Sequence, residues 1–188
     1  WYNGRDGKVN SAGSFDGGSD YVDFGDVWDF GYNDPMTFSA WIKPDTDNAQ
    51  QRHILAKMQR SSPYPGWSFQ TYNGNLGFEY IVDSTSNWHQ SNTKPGLLIA
   101  DGSWYHVVAV WENNEASFYI NGINYTTLEV ADSIASDIDT SNSLNIGSAD
   151  DGAENFFDGL IDEVKIFNYA LTPEQVRNEY NGGAVSFR

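Results

Sequence analysis

The chain has 188 residues, no cysteine and a net charge of −16, from 10 basic and 26 acidic residues. So few basic residues cannot form the large positive face that neutralises phosphates, which excludes nucleic acid as a partner and disfavours anionic membranes. The lack of cysteine excludes disulfides and thiolate metal sites. No apolar run is long enough to insert across a bilayer.

The remaining composition favours one soluble β-rich domain with neutral ligands. Aromatic residues make up 15% of the chain and glycines number 18. The aromatic bulk can fill the layer between two sheets and leave some rings for the surface. Many acidic groups suit hard cations such as calcium, which take oxygen ligands.

Strand patterns dominate the chain from its first third onwards. Residues 21–24, 37–42 and 67–72 alternate or run apolar over the length of a strand. Residues 104–111 are apolar on both faces, which is typical of an inner strand. These segments predict a sheet structure with several short strands.

Two Asn-Gly pairs predict tight hairpins between such strands. Asn73-Gly74 separates residues 67–72 from 75–82, and Asn121-Gly122 separates two further apolar runs. Asn and Gly tolerate the positive φ angles that two-residue hairpin turns require.

One helix is predicted near the carboxyl end. Thr172 can serve as its N-cap, Pro173 suits the first helical position, and Gln175 completes a capping box. The helix should run to about Tyr180 and end before the glycines that follow. Short strands, regular turns and one terminal helix together indicate a β-sandwich.

Several stretches, in order, resemble the laminin G-like modules of the concanavalin A-like jelly-roll class. They are residues 14–22, 38–42, 102–110, 117–122, 145–147 and 157–174. The resemblance implies an all-β fold: a concanavalin A-like jelly-roll sandwich of two antiparallel sheets with one short C-terminal helix. It also implies a single domain over residues 1–188, excised from a larger extracellular protein, with a role in carbohydrate recognition or adhesion.

The residues do not predict an enzyme. Retaining glycosidases place two carboxylates about 5–5.5 Å apart, and the Glu-x-Asp-x-x-Glu strand pattern of the glucanase relatives is absent. Asp162 and Glu163 are adjacent and point to opposite faces, whereas Glu79 and Asp83 share a face of a possible strand and keep a catalytic reading open. His106 lies within a strand pattern, where a packed, hydrogen-bonded histidine is expected.

A structural calcium ion is the one predicted cofactor. Asp162 falls mid-strand between apolar neighbours, where a carboxylate needs a partner. The resemblance implies that Asp162, with the early-loop residues Asp16 and Asp20, supplies its ligands. Two alternatives need no metal: Asp162 accepts hydrogen bonds from a loop backbone, and Asp16 belongs to an ordinary turn. The acidic loop 150–154 is a second candidate site.

Aromatic residues that the strand patterns do not bury are the candidates for a carbohydrate-binding surface. Neutral sugars stack on flat aromatic faces and bond to nearby polar groups. An aromatic among polar neighbours, as in stretches 61–67 and 84–92, is either a lid over the core edge or a ligand platform. The predicted binding residues are Trp67, Trp88, Tyr72, Tyr64, His89 and Gln70.

The sequence therefore predicts a non-catalytic carbohydrate-binding module of a secreted glycan-processing enzyme or surface protein. Its expected partner is a polysaccharide or oligosaccharide, and it is expected to be a monomer joined to other domains. The alternative is an adhesion or spacer module that binds protein, or no ligand.

Overall fold

The computed structural model describes residues 11–31, 33–45, 50–59, 65–81, 88–93, 97, 101–113, 115–126, 140–149 and 155–182, with the backbone alone at 88–90. This part of the chain forms strands and one helix. The strands are β1 (Gly13–Asp16), β2 (Val22–Asp23), β3 (Met36–Pro44), β4 (Gln51–Met58), β5 (Gly66–Tyr72), β6 (Asn75–Ile81), β7 (Trp88–Asn92), β8 (Tyr105–Glu112), β9 (Glu115–Ile120), β10 (Ile123–Asn124), β11 (Asn145–Ile146) and β12 (Asp158–Phe167), and the helix is α1 (Pro173–Tyr180).

The strands pair in two antiparallel sheets. The first sheet has the order β1-β12-β3-β8-β9-β10, and the second has the order β2-β11-β4-β5-β6-β7. Some neighbours are distant in sequence, as in β12 beside β3 and β11 beside β4, because the chain passes repeatedly between the two layers. The predicted all-β jelly-roll sandwich with one short C-terminal helix is confirmed.

Aromatic side chains fill the space between the sheets. Phe38 of β3 is fully buried and stacks on Trp67 of β5, with ring centroids 4.6 Å apart. Its ring also stacks on Phe78 of β6, at 5.6 Å. Because successive strand residues point to opposite faces, the core receives every second residue of each of these strands.

Both predicted hairpin turns are present. Asn73 and Gly74 have φ angles of 51° and 71°, and Asn121 and Gly122 have φ angles of 51° and 76°. Positive φ at both central positions is the two-residue geometry that follows the twist of antiparallel strands. The first turn joins β5 to β6, and the second joins β9 to β10.

The helix begins at the predicted capping box and covers the first sheet. The Thr172 hydroxyl accepts from the Gln175 backbone N–H at 3.2 Å, and the Gln175 side chain accepts from the Thr172 N–H at 2.8 Å. Val176 is buried against the outer side of β8 and β9, and Tyr180 stacks on Trp41 of β3. The described residues contain no helix with the length and apolarity needed to cross a membrane.

Gly159 of β12 is a position where only glycine fits. Its φ is 133°, and a Cβ there would lie 2.2 Å from the Lys43 carbonyl oxygen. We expect Gly159→Ala to lower the free energy of unfolding by about 2 kcal/mol or more, since backbone strain and steric overlap add. Urea denaturation measures the change.

Gly102→Ala is the matched control, because Gly102 has a φ of 80° but open space where a Cβ would be. It should cost about 1 kcal/mol, from the backbone conformation alone. Equal losses in the two variants would show that the close approach to Lys43 is unimportant.

Candidate functional site

Trp67 is a core residue, so its prediction as a ligand platform is wrong. Its side chain is 1% exposed and stacks on Phe38 and Phe78, with ring centroids 4.6 and 6.4 Å away. Stretch 61–67 looks like a loop in sequence, but Gly66 already begins β5, and the alternation of that strand turns Trp67 inward.

Gln70 is buried in a polar network on the outer side of the second sheet. Its side-chain oxygen lies 3.0 Å from His53 Nε2, and its amide nitrogen donates to Glu79 at 3.1 Å. Gln51 donates to the same Glu79 oxygen at 2.6 Å. Gln70 is 0% exposed. Its polar atoms therefore bond within the protein, and the prediction that it contributes to an exposed binding surface is wrong.

The other predicted sugar-binding residues do not form a described surface. Tyr72 is 44% exposed at the end of β5. Trp88 and His89 are in β7, where only the backbone is described, and Tyr64 lies outside the described residues.

The polar face of the second sheet does not hold a paired-carboxylate arrangement among its described strands. Asp83 lies outside the described residues. The strand registers place Asp23 and Glu79 in one row, but four strands apart. At about 4.8 Å per strand they are roughly 19 Å apart, whereas glycosidases need about 5–9.5 Å.

His106 has the packed role that the sequence predicted. Its Nε2 lies 2.9 Å from the Ser39 hydroxyl oxygen, and both residues are buried. The rings of Trp41 and Tyr180 lie 5.1 and 6.0 Å from the imidazole. The Ser-His pair is thus enclosed between the first sheet and α1.

Asp16 closes its own turn. Its Oδ1 accepts from the backbone N–H groups of Ser19, Gly18 and Asp20 at 2.7, 2.8 and 3.1 Å, and Oδ2 accepts from the Ser19 hydroxyl at 3.1 Å. The bonds from Ser19 and Gly18 are the main reason that the pKa of Asp16 falls to about 2. Four donors surround this carboxylate, as expected of the ordinary turn that is the alternative to a metal ligand, and the role of Asp16 as a calcium ligand stays a prediction.

Asp20 and Asp162 line the same cleft. Asp162 accepts from the Glu163 N–H at 2.9 Å, at a bulge where the register of β12 against β3 shifts. The described residues contain no group of three or more His, Cys, Asp or Glu side chains that could hold a metal. A calcium ion here would need further oxygens from the backbone or solvent, and calcium therefore stays a prediction. The loop 150–154 lies outside the described residues.

That cleft continues into a second one along the open side of the sandwich. Their volumes are about 370 and 210 Å³, and Ile146 and Val164 line both. They lie where β12 of the first sheet faces β2 and β11 of the second. We call the combined depression the edge groove, defined by Asp20, Tyr21, Phe24, Trp28, Ile146 and Val164.

Three large aromatic side chains are exposed along the edge groove. Tyr21 is 41% exposed, Phe24 is 51% exposed and Trp28 is 43% exposed. Exposed apolar surface that is contiguous, rather than scattered, marks interaction sites. Phe24 is fixed by backbone bonds between residues 24–25 and Leu144, both 2.9 Å, so its position is set by regular pairing.

Unusual backbone angles also fall on the edge groove. Six described residues other than glycine have positive φ, and four of them are Asn, which adopts this conformation readily. The other two are Trp28, with φ of 61°, and Glu163, with φ of 48°. Both line the groove. Strained backbone of this kind clusters at ligand sites, because the surrounding structure must hold it in place.

The sequence around Trp28 carries the same signal of an exposed aromatic residue as the sequence around Trp88. Trp28 stands in Asp26-Val-Trp-Asp29, an aromatic among acidic neighbours, and this is the criterion that selected Trp88. Tyr21 and Phe24 lie in the strand pattern of residues 21–24. That pattern does not indicate that one side of the strand is exposed to solvent.

The described strands form a jelly-roll β-sandwich of two sheets with a groove along one side. A family model for the concanavalin A-like lectin/glucanases superfamily, of the laminin G type, matches residues 16–177. The chain belongs to this superfamily.

A curated relative is the human adhesion G-protein coupled receptor D1 (Homo sapiens). It is 32% identical over 144 residues, which cover 75% of this chain and 16% of the receptor. The chain therefore spans a small part of that relative.

Two solved structures illustrate the fold. The CBM40 module of the Ruminococcus gnavus IT-sialidase, bound to alpha2,3 sialyllactose, has a TM-score of 0.67 at 14% identity, covering 90% of this chain and 98% of that one. Domain 4 of AbnA, a GH43 extracellular arabinanase from Geobacillus stearothermophilus in complex with arabinotriose, has a TM-score of 0.65 at 24% identity, covering 92% and 78%.

The Asp16 turn predicts a pH-dependent contribution to stability. A folded-state pKa near 2, below the ordinary value of 3.8, means that Asp16 stabilises the fold above about pH 4 and loses this effect as the pH falls towards 2. Asp16→Ala should therefore be less stable than the wild type at about pH 6, and the difference should shrink towards about pH 2. Urea unfolding at both pH values measures it. A difference that is independent of pH would contradict the assignment.

Proposed function

We propose that this domain is a non-catalytic carbohydrate-binding module of a secreted or cell-surface protein, and that the edge groove binds a neutral oligosaccharide. The observation that carries the proposal is the row of exposed aromatics, Tyr21, Phe24 and Trp28, along one continuous groove. Aromatic faces stack on the C–H faces of sugar rings, which gives contact area at low entropic cost.

The polar end of the groove suits sugar hydroxyls. The carboxylates of Asp20, Asp162 and Glu163 line this end and can accept hydrogen bonds from hydroxyl donors. The same charges disfavour an anionic sugar, because like charges in a partly enclosed site repel. A neutral glycan is therefore the ligand class that the lining favours.

The comparisons support a binding role. One similar structure is named as a module bound to sialyllactose and another as a domain in complex with arabinotriose. Their fold supports carbohydrate binding here, and the match to an adhesion receptor supports an extracellular or surface location. That receptor match also favours the second candidate, an adhesion module that binds protein.

The absence of catalysis is part of the proposal. Glu79 is the carboxylate nearest the middle of the polar face, and it is buried with two glutamine amides on one oxygen. Among the described residues of that row, Asp23 is too far from Glu79 to serve as the second carboxylate for glycoside hydrolysis. Reducing-sugar release from a polysaccharide panel would contradict this.

Substitution of the groove aromatics tests the site. Affinity electrophoresis and calorimetry would use neutral polysaccharides (arabinan, galactan, xylan and β-glucan) with the calcium-loaded protein, and anionic ones (alginate and polygalacturonate) in chelator, so that calcium does not bridge them to the protein. We expect a neutral glycan to bind, and Trp28→Ala or Phe24→Ala to weaken binding by about tenfold or more through lost stacking.

Two exposed tyrosines lie outside the groove lining. Tyr169 provides a control and Tyr72 provides a test of the alternative site. Tyr169→Ala removes a ring that is 46% exposed and should leave affinity unchanged. Tyr72→Ala tests the platform that the sequence predicted. Loss of binding in Tyr72→Ala but not in Trp28→Ala would move the site to the second sheet, and no glycan binding at all would favour the adhesion role.

Structural calcium is a separate proposal, supported by Asp20 and Asp162 lining one cleft and by the family resemblance. If an ion binds the folded state there, adding excess chelator should lower the melting temperature. Asp162→Ala should remove the calcium dependence, whereas Asp16→Ala, whose carboxylate bonds within its own turn, should retain it. Identical melting of the wild type with calcium and with chelator would exclude a structural ion that the chelator can reach.

A further inference from the structure

We infer that Lys57 is a positioning residue, whose buried ammonium holds the loop that presents Trp28 to the ligand. The inference rests on the proposed carbohydrate site, since Trp28 is its stacking ring. Lys57 lies in β4 and its side chain is 1% exposed, although most lysines in proteins stay in contact with water.

The ammonium contacts the loop on both sides of Trp28. Lys57 Nζ donates to Asp26 Oδ1, to the Val27 carbonyl oxygen at 3.2 Å and to Asp29 Oδ1 at 2.5 Å. The side chains of Asp26 and Asp29 and the backbone of Val27 therefore converge on one cation, on both sides of Trp28. The turn leaves the Trp28 ring exposed at the groove.

The direction of the Lys57 side chain follows from the sheet. Lys57 pairs with Trp67 in the register of β4 and β5, and Trp67 points into the core. Directly paired residues share a face, so the lysine stem also enters the sandwich and its ammonium emerges under the loop. Burial opposes the charge, but hydrogen bonds to Asp26 and Asp29 outweigh it and raise the pKa of Lys57, so the cation persists at neutral pH.

The Lys57 ammonium offsets the unfavourable backbone conformation of Trp28, because it fixes the residues on both sides of it. An aromatic residue with φ of 61° is held only when its neighbours are fixed. Trp28 also contacts Phe30, at a centroid distance of 5.9 Å, and Phe30 is buried on Phe38 and Trp67. A loop ordered before binding loses less entropy when the ligand arrives, so the clamp should increase affinity without touching the sugar.

Lys57→Met tests the role, because methionine keeps the apolar stem and removes the ammonium. Removing one partner of an ion pair is costly when the other charge stays buried, but the Asp26 and Asp29 carboxylates are more than half exposed and remain in contact with water. We expect affinity for the neutral glycan to fall by about tenfold, with the melting temperature close to that of the wild type. Lys57→Arg, which retains the charge, should recover part of the affinity.

A second measurement does not depend on a ligand. Acrylamide quenching, taken as the difference between each protein and its Trp28→Phe partner, isolates the Trp28 fluorescence. Lys57→Met should make Trp28 more accessible to quencher. Asp26→Asn/Asp29→Asn should do the same, and because these carboxylates are 53% and 56% exposed, the substitutions are made at the surface.

The outcomes separate the two proposals. If the wild type binds glycan through Trp28 and Lys57→Met binds equally well, with unchanged quenching, Lys57 has no positioning role. If no glycan binds but quenching of Trp28 rises in both loop variants, the clamp is correct and the carbohydrate proposal fails. Unchanged quenching in both folded variants overturns the inference whatever the binding result.

Discussion

The contact between Phe38 and Trp67 fixes the rest of the molecule. This stack joins the middle of the first sheet to the middle of the second, and both side chains are fully buried. Once Trp67 points inward, the pleat of β5 sends Ser68 and Gln70 outward, and the register with β4 sends Lys57 inward. The buried ammonium of Lys57 then needs hydrogen-bond acceptors, and the loop 26–29 supplies three of them. The exposed position of Trp28 is therefore a consequence of the inward packing of Trp67 and of its paired residue Lys57.

The outer sides of the two sheets are covered in different ways, and among the described residues the edge groove presents an exposed apolar surface. The outer side of the first sheet is covered by α1, with Val176 and Leu171 packed on β8 and β9. The outer side of the second sheet carries a polar network around Gln70 and Glu79, where hydrogen bonds are made within the protein. The edge groove instead combines apolar walls with carboxylates at one end. Ligand sites commonly have this mixture of apolar area and a few oriented polar groups.

Local patterns predicted the parts of the fold that depend on local chemistry. The capping box at Thr172 and the two Asn-Gly turns were correct because each depends on residues within four positions. Strand patterns, turns and the terminal helix predicted a β-sandwich, whereas the concanavalin A-like jelly roll was predicted by resemblance over most of the chain.

The site was harder to predict because exposure is decided by distant residues. Trp67 was misread because the strand boundary at Gly66 determines its direction, and the composition of residues 61–65 suggested a loop. For Asp16 the sequence left a metal ligand and an ordinary turn as alternatives, because it does not reveal that the turn supplies four donors. Tyr21, Phe24 and Trp28 are close in sequence, yet only the pairing of β2 with β11 shows that they border an open side.

The strain pattern argues that the edge groove is more than surface left over from packing. A leftover surface would relax, since a non-Asn residue in the left-handed region costs about 1–3 kcal/mol. Trp28 and Glu163 instead retain that conformation in the lining of one groove, Trp28 beside a buried cation and Glu163 at a bulge in β12. Asn73 and Asn121 lie in hairpin turns and also have positive φ, but asparagine adopts this conformation at a lower cost in free energy. Retaining two unfavourable residues beside three exposed aromatic rings is consistent with selection for a contact made outside the domain.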